Sequence, residues 1–301
     1  MKMILRHRYT GHQGSVYALC DDLQGGFYSG GGDRIVAHWS LNDPADGELI
    51  ARADDAVYSL CLIPETGKLL IGTGKGSLHV IDLQAGSEER LLQLHTAAIF
   101  SITLSPDGHH FCTTGGDGVL NIIRASDFTV VHRLRLTEKK LRTLAFHPST
   151  PTALAGCGDG SIAVIGTTHW EIQQRFLAHQ QDFSVNCICF SPDGKYFLSG
   201  SRDAHLHLYE TGTLQLMQTV PAHNYAIYAI AFDPTGQFFA TASRDKTVKL
   251  WDFSSMEVLA RLEGNDGKGH INSVNNLLWM KNGALLTAGD DRAIQLFQPE
   301  S

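Results

Sequence analysis

The sequence predicts an all-β chain made of seven copies of one small antiparallel sheet. Three observations carry that reading. A turn segment recurs along the chain with a period near 42 residues. Each copy holds four strand-length segments separated by turn residues. Helical periodicity is absent throughout.

The recurring turn is clearest in SRDKTVKLWD at 243–252. It matches GGDRIVAHWS (31–40), GKGSLHVIDL (74–83, offset by one), GGDGVLNIIR (115–124), GDGSIAVIG (158–166), SRDAHLHLYE (201–210) and GDDRAIQLFQ (289–298). The aligned turn residues are Asp33, Lys75, Asp117, Asp159, Asp203, Asp245 and Asp291. Inside the fifth unit, SVNCICF alternates over strand length, and Pro192, Asp193 and Gly194 supply a turn. FLSGS, HLHLYE and QLMQTV then read as three further strands. A four-stranded sheet that is apolar on both faces is not stable alone. Neighbouring sheets must cover it, and a ring leaves no end uncovered.

Composition agrees. The 301 residues alone would allow one or two domains, but seven repeats account for almost the whole chain, so a single domain over 1–301 is expected. Hydrophobic residues make up 43% and charged residues only 18%, with 30 glycines. That balance suits short strands and many turns. The net charge of −7 offers no general attraction to nucleic acid or to an anionic membrane, and neither is an expected partner. Cys20, Cys61, Cys112, Cys157, Cys187 and Cys189 sit mostly in apolar runs and form no CxxC pair. They read as small buried thiols in a reducing compartment. The start, MKMILRHRYTGH, has no apolar run of signal-peptide length, and no stretch approaches the roughly 18 apolar residues of a membrane span. A cytoplasmic protein is expected.

The dipeptides Gly11-His12, Gly269-His270, Ala178-His179, Ala222-His223 and Trp251-Asp252, in register across the repeats, resemble the WD-repeat β-propeller family over the whole chain. The resemblance implies a seven-bladed propeller of four-stranded antiparallel blades. It also implies a buried structural relay of His, Ser or Thr, turn Asp and strand Trp. The full relay maps onto His12, Ser29, Asp33 and Trp39, and onto His223, Thr241, Asp245 and Trp251. Unit five has Tyr209 in place of the Trp, unit seven Phe297 and unit three Ile123. Units two and four, with Lys75 and Ala155, lack most of it. The last unit ends after its third strand, and MILRHRYTGH aligns with fourth strands such as MEVLARLEG. Residues 1–11 are therefore expected to complete the last blade and close the ring.

The His–Ser–Asp sets superficially suggest a hydrolytic triad. They occur in several copies, whereas a nucleophile is needed once, and the resemblance makes them structural. His205 and His207 share a strand face and His109-His110 fall in a turn, without the three or four convergent ligands that zinc needs. No metal or other cofactor is expected. His38 stands where other units have Leu or Ile and reads as a packed core residue. No phosphate-binding or dinucleotide fingerprint appears in a strand–helix context.

One position carries a different signal. The second residue of each unit's first strand is Tyr17, Tyr58, Phe100, Arg142, Asn186, Tyr228 or Asn275. None is an acid, a histidine or a cysteine, so no ring of carboxylates is available for acid–base work. In the WD-repeat family this position lies at the mouth of the central channel on the top face. The residues before the turn Asp, Gly32, Gly74, Gly116, Gly158, Arg202, Arg244 and Asp290, lie on the same face. Aromatic residues and arginines dominate protein-binding hot spots, and arginine suits a carboxylate or phosphate. The resemblance and these residue types point to a non-catalytic scaffold that docks a protein or peptide there. Tyr17, Tyr58, Phe100, Arg142 and Tyr228 would be the anchors, and Arg202 and Arg244 would meet an acidic group. Two alternatives stay open: an enzyme acting on a small substrate in the channel, or a subunit that uses its blade edges. The aromatics could also simply plug the channel.

Overall fold

The computed structural model describes residues 3–41, 47–264 and 269–300, and residues 1 and 2 of the expected closing segment lie outside them. Seven four-stranded antiparallel sheets follow one another around a closed ring. In six of them the strands are consecutive in the chain, each stepping outward to the next. The first is typical: Val16–Asp21, Gly26–Gly31, Ile35–Ser40 and Glu48–Arg52. The seventh takes Val274–Trp279, Leu285–Gly289 and Ile294–Pro299 from the end of the chain and Met3–Tyr9 from its start. Met3 pairs with Pro299 and Tyr9 with Ile294. Both Met3 and Tyr9 are buried, and the Tyr9 ring stands edge-on to Phe27 at 5.1 Å and Trp39 at 5.4 Å in the next sheet. The chain's first strand therefore closes the ring and welds the last blade to the first. Among the described residues there is no α-helix.

Each inner strand touches the inner strand of the following sheet, and Val274–Trp279 touches Val16–Asp21. The core is thus not one mass but a series of clusters between neighbouring sheets. Second strands are buried almost throughout, whereas outer strands such as Ser87–Gln93 are mostly exposed. Phe27, Phe111, Phe197 and Phe239 occupy one repeated second-strand position and are fully buried. Neighbouring sheets approach closely where second strands carry glycine. A Cβ on Gly30 would lie 2.5 Å from Val57 Cγ1, and one on Gly200 2.7 Å from Ile227 Cγ2. Any side chain there would push two blades apart.

Two backbone features place the functional side chains. The residue after each turn position, Arg34, Gly76, Gly118, Gly160, Ala204, Lys246 or Arg292, has a positive φ between 65° and 91°. This left-handed residue makes the tight reversal that the recurring Asp sequence marks. The other feature is a β-bulge at the same place in all seven inner strands. Val16 pairs with Gly31 and Ala18 with Gly30, which leaves Tyr17 without a ladder partner. The same shift skips Tyr58, Phe100, Arg142, Asn186, Tyr228 and Asn275. Bulges re-aim a side chain and sharpen local twist, so one residue per blade is released from the pleat.

Candidate functional site: the channel mouth

In five of the seven blades a histidine set links the turn to the second strand. His12 meets Asp33 Oδ2 through Nδ1 at 2.9 Å and Ser29 Oγ through Nε2 at 2.8 Å, and Trp39 Nε1 donates to Ser29 Oγ at 2.7 Å. His223 repeats this with Asp245 at 2.9 Å, Thr241 at 2.7 Å and Trp251 donating at 2.9 Å. The proton positions follow from the partners. The indole can only donate and the carboxylate can only accept. The hydroxyl therefore accepts from Trp and donates to Nε2, while Nδ1–H donates to Asp. This ordering resembles a catalytic triad, but Ser29 and Thr241 are fully buried and their hydroxyls are already committed to two neighbours.

The incomplete units are rebuilt rather than empty. Asn121 Nδ2 lies 2.9 Å from His95 Nε2, and His95 also meets Asp117 and Thr113. Tyr209 donates to the Ala178 carbonyl at 2.8 Å instead of to Ser199. In the second unit Asp54 accepts from Ser77 and pairs with His79, which also pairs with Glu88. In the fourth, Arg175 pairs with Asp159 and donates to Ser161 Oγ and the Leu136 carbonyl. Burial alone would raise the Asp203 carboxyl. The hydrogen bond and charge of His179, with backbone N–H groups of His205 and Gln180, outweigh it and hold the pKa down to about 2. Asp245 is lowered in the same way by His223, Thr247 and the Asn224 N–H. Burial lowers the His223 and His95 imidazoles despite their carboxylate partners.

His38, expected as a packed core residue, is instead partly exposed and ion-paired, with Nε2 2.8 Å from Asp22 Oδ2. From within the third strand, Ile35–Ser40, its side chain reaches the turn before the second strand. His205 and His207 form no ligand set. His205 Nδ1 meets the Asp203 carbonyl, and His207 bonds the Ala178 carbonyl at 2.7 Å and stacks on His179 at 4.0 Å. Among the described residues no group of three or more His, Cys, Asp or Glu could hold a metal ion. No helix there is long and apolar enough to cross a membrane.

The bulge residues converge. Tyr17, Tyr58, Phe100, Arg142, Asn186, Tyr228 and Asn275 line one cavity of about 320 Å³ with Asn276 and Asp290. Tyr17 stacks on Tyr58 at 4.9 Å with the rings 7° apart, and Phe100 stands edge-on to Tyr58 at 5.7 Å. Arg142 carries its guanidinium carbon 4.3 Å from the Phe100 centroid. The ring stack therefore turns around one side of the mouth and ends on a cation. The glycines before the turns give the rings their seats, since a Cβ on Gly74 would lie 3.3 Å from the Tyr58 ring and one on Gly116 3.4 Å from Phe100. The rings line the mouth and leave a cavity between them. Asn186 and Asn275 do otherwise. Their side-chain amides reach sideways to the Ile227 and Val16 carbonyls of the next blade, and Asn276 reaches the Tyr17 carbonyl at 2.9 Å.

Arg202 and Arg244 do not line the cavity. They are exposed on its rim, over the Phe183 ring at 6.0 Å and the Tyr225 ring at 5.8 Å. Lys140 joins them there, and partial burial together with Arg142 and Arg202 lowers its pKa. Lys140, Asn276 and the cavity-lining role of Asp290 were not singled out from the sequence. The signal existed for two of them. Lys140 stands where the other units have Ser15, Ala56, Ala98, Ser184, Ala226 and Ser273, and Asn276 where they have small residues or Thr143.

Comparison with known proteins agrees with this architecture. The family described as WD domain, G-beta repeat matches residues 3–40, 86–124, 170–210, 214–252 and 257–298. The units it passes over are the second and fourth, whose histidine sets are rebuilt. Human echinoderm microtubule-associated protein-like 3 is 30% identical over 205 residues, 67% of this chain and 22% of that protein. Human striatin-4 is 23% identical over 242 residues, 72% of this chain and 31% of that protein. Eukaryotic translation initiation factor 3 subunit I of Emericella nidulans is 26% identical over 228 residues, 71% of this chain and 67% of that protein. The chain thus spans about a fifth of the microtubule-associated relative's length and about a third of striatin-4's. The crystal structure of the WD40 β-propeller domain of Doa1 superposes with a TM-score of 0.88 at 19% identity, over 99% of this chain and 98% of that one.

Proposed function

The chain belongs to the WD40 family, and from that membership we propose a non-catalytic scaffold that docks a protein or peptide segment at the channel mouth. One observation carries the reading. Seven equivalent bulges deliver side chains to one place, and four of the seven are aromatic and one is arginine. Rings held by stacking are anchors of low entropic cost, and they surround a cavity wide enough for an inserted side chain. Tyr17, Tyr58, Phe100, Arg142 and Tyr228 act as the anchors; Arg202 and Arg244 meet the partner outside the cavity. The relatives' names suit such a role, one being microtubule-associated and one a subunit of an initiation factor. Both fully buried hydroxyl sets argue against hydrolysis by the histidine triplets.

The test is capture of binding proteins from a native lysate of the encoding organism, using the wild-type chain and Tyr58→Ala/Phe100→Ala. The double variant is expected to lose the captured partner while its melt falls only by the ring stacking removed, about 1–3 kcal/mol. Retained capture would move docking elsewhere. The outer strands favour the blade edge as that second surface, because Leu216, Met217, Val258 and Leu259 are exposed on neighbouring blades.

A further inference from the structure

The cations of the mouth are distributed in a way that folding does not require. Arg142 is the only charged residue among the seven bulge positions. It is partly buried, and loss of water around it lowers its pKa. Its neighbours are the Phe100 ring, Tyr58, Tyr228 and the Cys187 thiol, and none of these is a carboxylate. Among the described residues its side chain makes no ion pair and no hydrogen bond. Lys140, Arg202 and Arg244, on the rim of the same three consecutive blades, likewise have no ion-pair partner there. Lys139, beside them, does, with Asp182 at 2.7 Å. A chain of net charge −7 has thus gathered four uncompensated cations on one sector of one opening.

A partly buried cation beside rings, a thiol and a second cation, Lys140, is a cost to the fold. In six of the seven units the same bulge is occupied by an uncharged residue, so the backbone does not demand arginine. The guanidinium is nonetheless held in place by the Phe100 face, and stacking leaves the N–H edge of arginine available. The opposite wall is acidic. Asp290 lines the cavity and is held by Asn275 Nδ2 at 2.8 Å. One guanidinium inside, with a carboxylate across the cavity, matches one monovalent anion better than a dianion. The planar fork of arginine matches a carboxylate in two parallel hydrogen bonds.

We infer that the partner segment docked at this mouth is an acidic peptide, which inserts one Asp or Glu carboxylate into the cavity against Arg142 while Lys140, Arg202 and Arg244 attract its flanking acidic residues. This rests on the docking reading above and gives it a ligand chemistry. The rings beside Arg142 would exclude water from the ion pair and take an apolar neighbour of the inserted carboxylate.

The test uses a random 12-residue peptide library displayed on phage and panned on the intact chain, with enriched peptides resynthesised for calorimetry. Enriched peptides are expected to carry an Asp or Glu. Changing that residue to its amide, or Arg142→Gln in the protein, should each weaken binding at least tenfold, and the two together should cost little more than one. Affinity should fall steeply as salt rises. Enriched peptides without an acidic residue, whose binding is lost in Tyr58→Ala/Phe100→Ala, would keep the docking reading and overturn the carboxylate. Binders indifferent to both variants, or no binders, would overturn both. Phosphoserine in place of the acidic residue binding more than tenfold tighter would reassign the site to a phosphopeptide. Arg142→Met separates binding from architecture. Its melt is expected at or above that of the wild type, and a melt several degrees lower would make Arg142 a structural residue and overturn the inference.

Discussion

Thr241 and Thr287 occupy equivalent positions in the sixth and seventh blades, and both are fully buried. Each hydroxyl serves a histidine: His223 at 2.7 Å and His270 at 2.8 Å. Only Thr241 also accepts from a tryptophan, Trp251 Nε1 at 2.9 Å, because the seventh blade has Phe297 at that place. Thr→Val changes little volume, so the substitution reads polar pairing and not a cavity. Thr287→Val leaves one buried ring nitrogen without its donor. Thr241→Val does that and also strands an indole N–H. A buried group left unpaired costs about 1–3 kcal/mol. Thr241→Val should therefore exceed Thr287→Val by roughly that amount. For a chain of this length, an unfolding entropy of about 2.1 cal/mol/K per residue converts 2 kcal/mol into about 3 °C. Urea unfolding midpoints and thermal melts of the two variants, measured side by side, supply the difference. Equal losses, or a larger loss for Thr287→Val, would refute the idea that the indole–hydroxyl bond is what makes a complete relay stronger than a partial one.

Acid should act on the fifth blade before it acts on the carboxylates. Burial and the neighbouring His179 push His207 down to about 4 from its ordinary 6.5, so the folded state holds it neutral while the unfolded chain takes up the proton first. Its contribution is complete above pH 6.5 and is lost as the pH falls from there to 4. Asp203, at about 2 against an ordinary 3.8, adds its own loss only below pH 4. His207→Gln is expected to flatten the decline in melting temperature between pH 6.5 and 4. The change is structurally mild, since Gln295 already bonds the corresponding Gly269 carbonyl in the seventh blade. An unchanged slope would assign the acid sensitivity elsewhere. At the ring closure, Tyr9→Ala removes a buried ring from between the last and first blades and should cost about 3–5 kcal/mol, as other large core truncations do. A loss under 1 kcal/mol in the unfolding midpoint would show that the first strand is not needed to hold the ring.

The ring, its seven units and its closure were legible in the sequence because they rest on backbone requirements that recur. A left-handed residue after the turn position recurs in all seven units, and a glycine where blades touch and a buried phenylalanine each recur at fixed spacing in four of them. The second and fourth units were less legible. Their networks use Asp54 with His79 and Arg175 with Asp159, pairs that each join a residue between strands to a residue on a strand and have no common spacing with the other units. His38 misled for a related reason: its strand position predicts burial, but Asp22 in a preceding turn draws it outward.

The mouth was half legible, and the missing half has one cause. The recurrence of Tyr17, Tyr58, Phe100 and Tyr228 identified an equivalent position, and the bulge explains why it matters. A residue dropped from the ladder is free of cross-strand packing, so its identity is not fixed by the sheet. That freedom admits two uses. Asn186 and Asn275 line the cavity with their amides tied sideways to the next blade, whereas the rings and Arg142 line it without such a tie. No pattern along the chain distinguishes a staple from an anchor, because the difference depends on which backbone carbonyl the next blade presents. The same freedom is what allows an uncompensated guanidinium to stand in the stack. A sheet-facing position would have rejected that charge, and a bulge can hold it until an anion arrives.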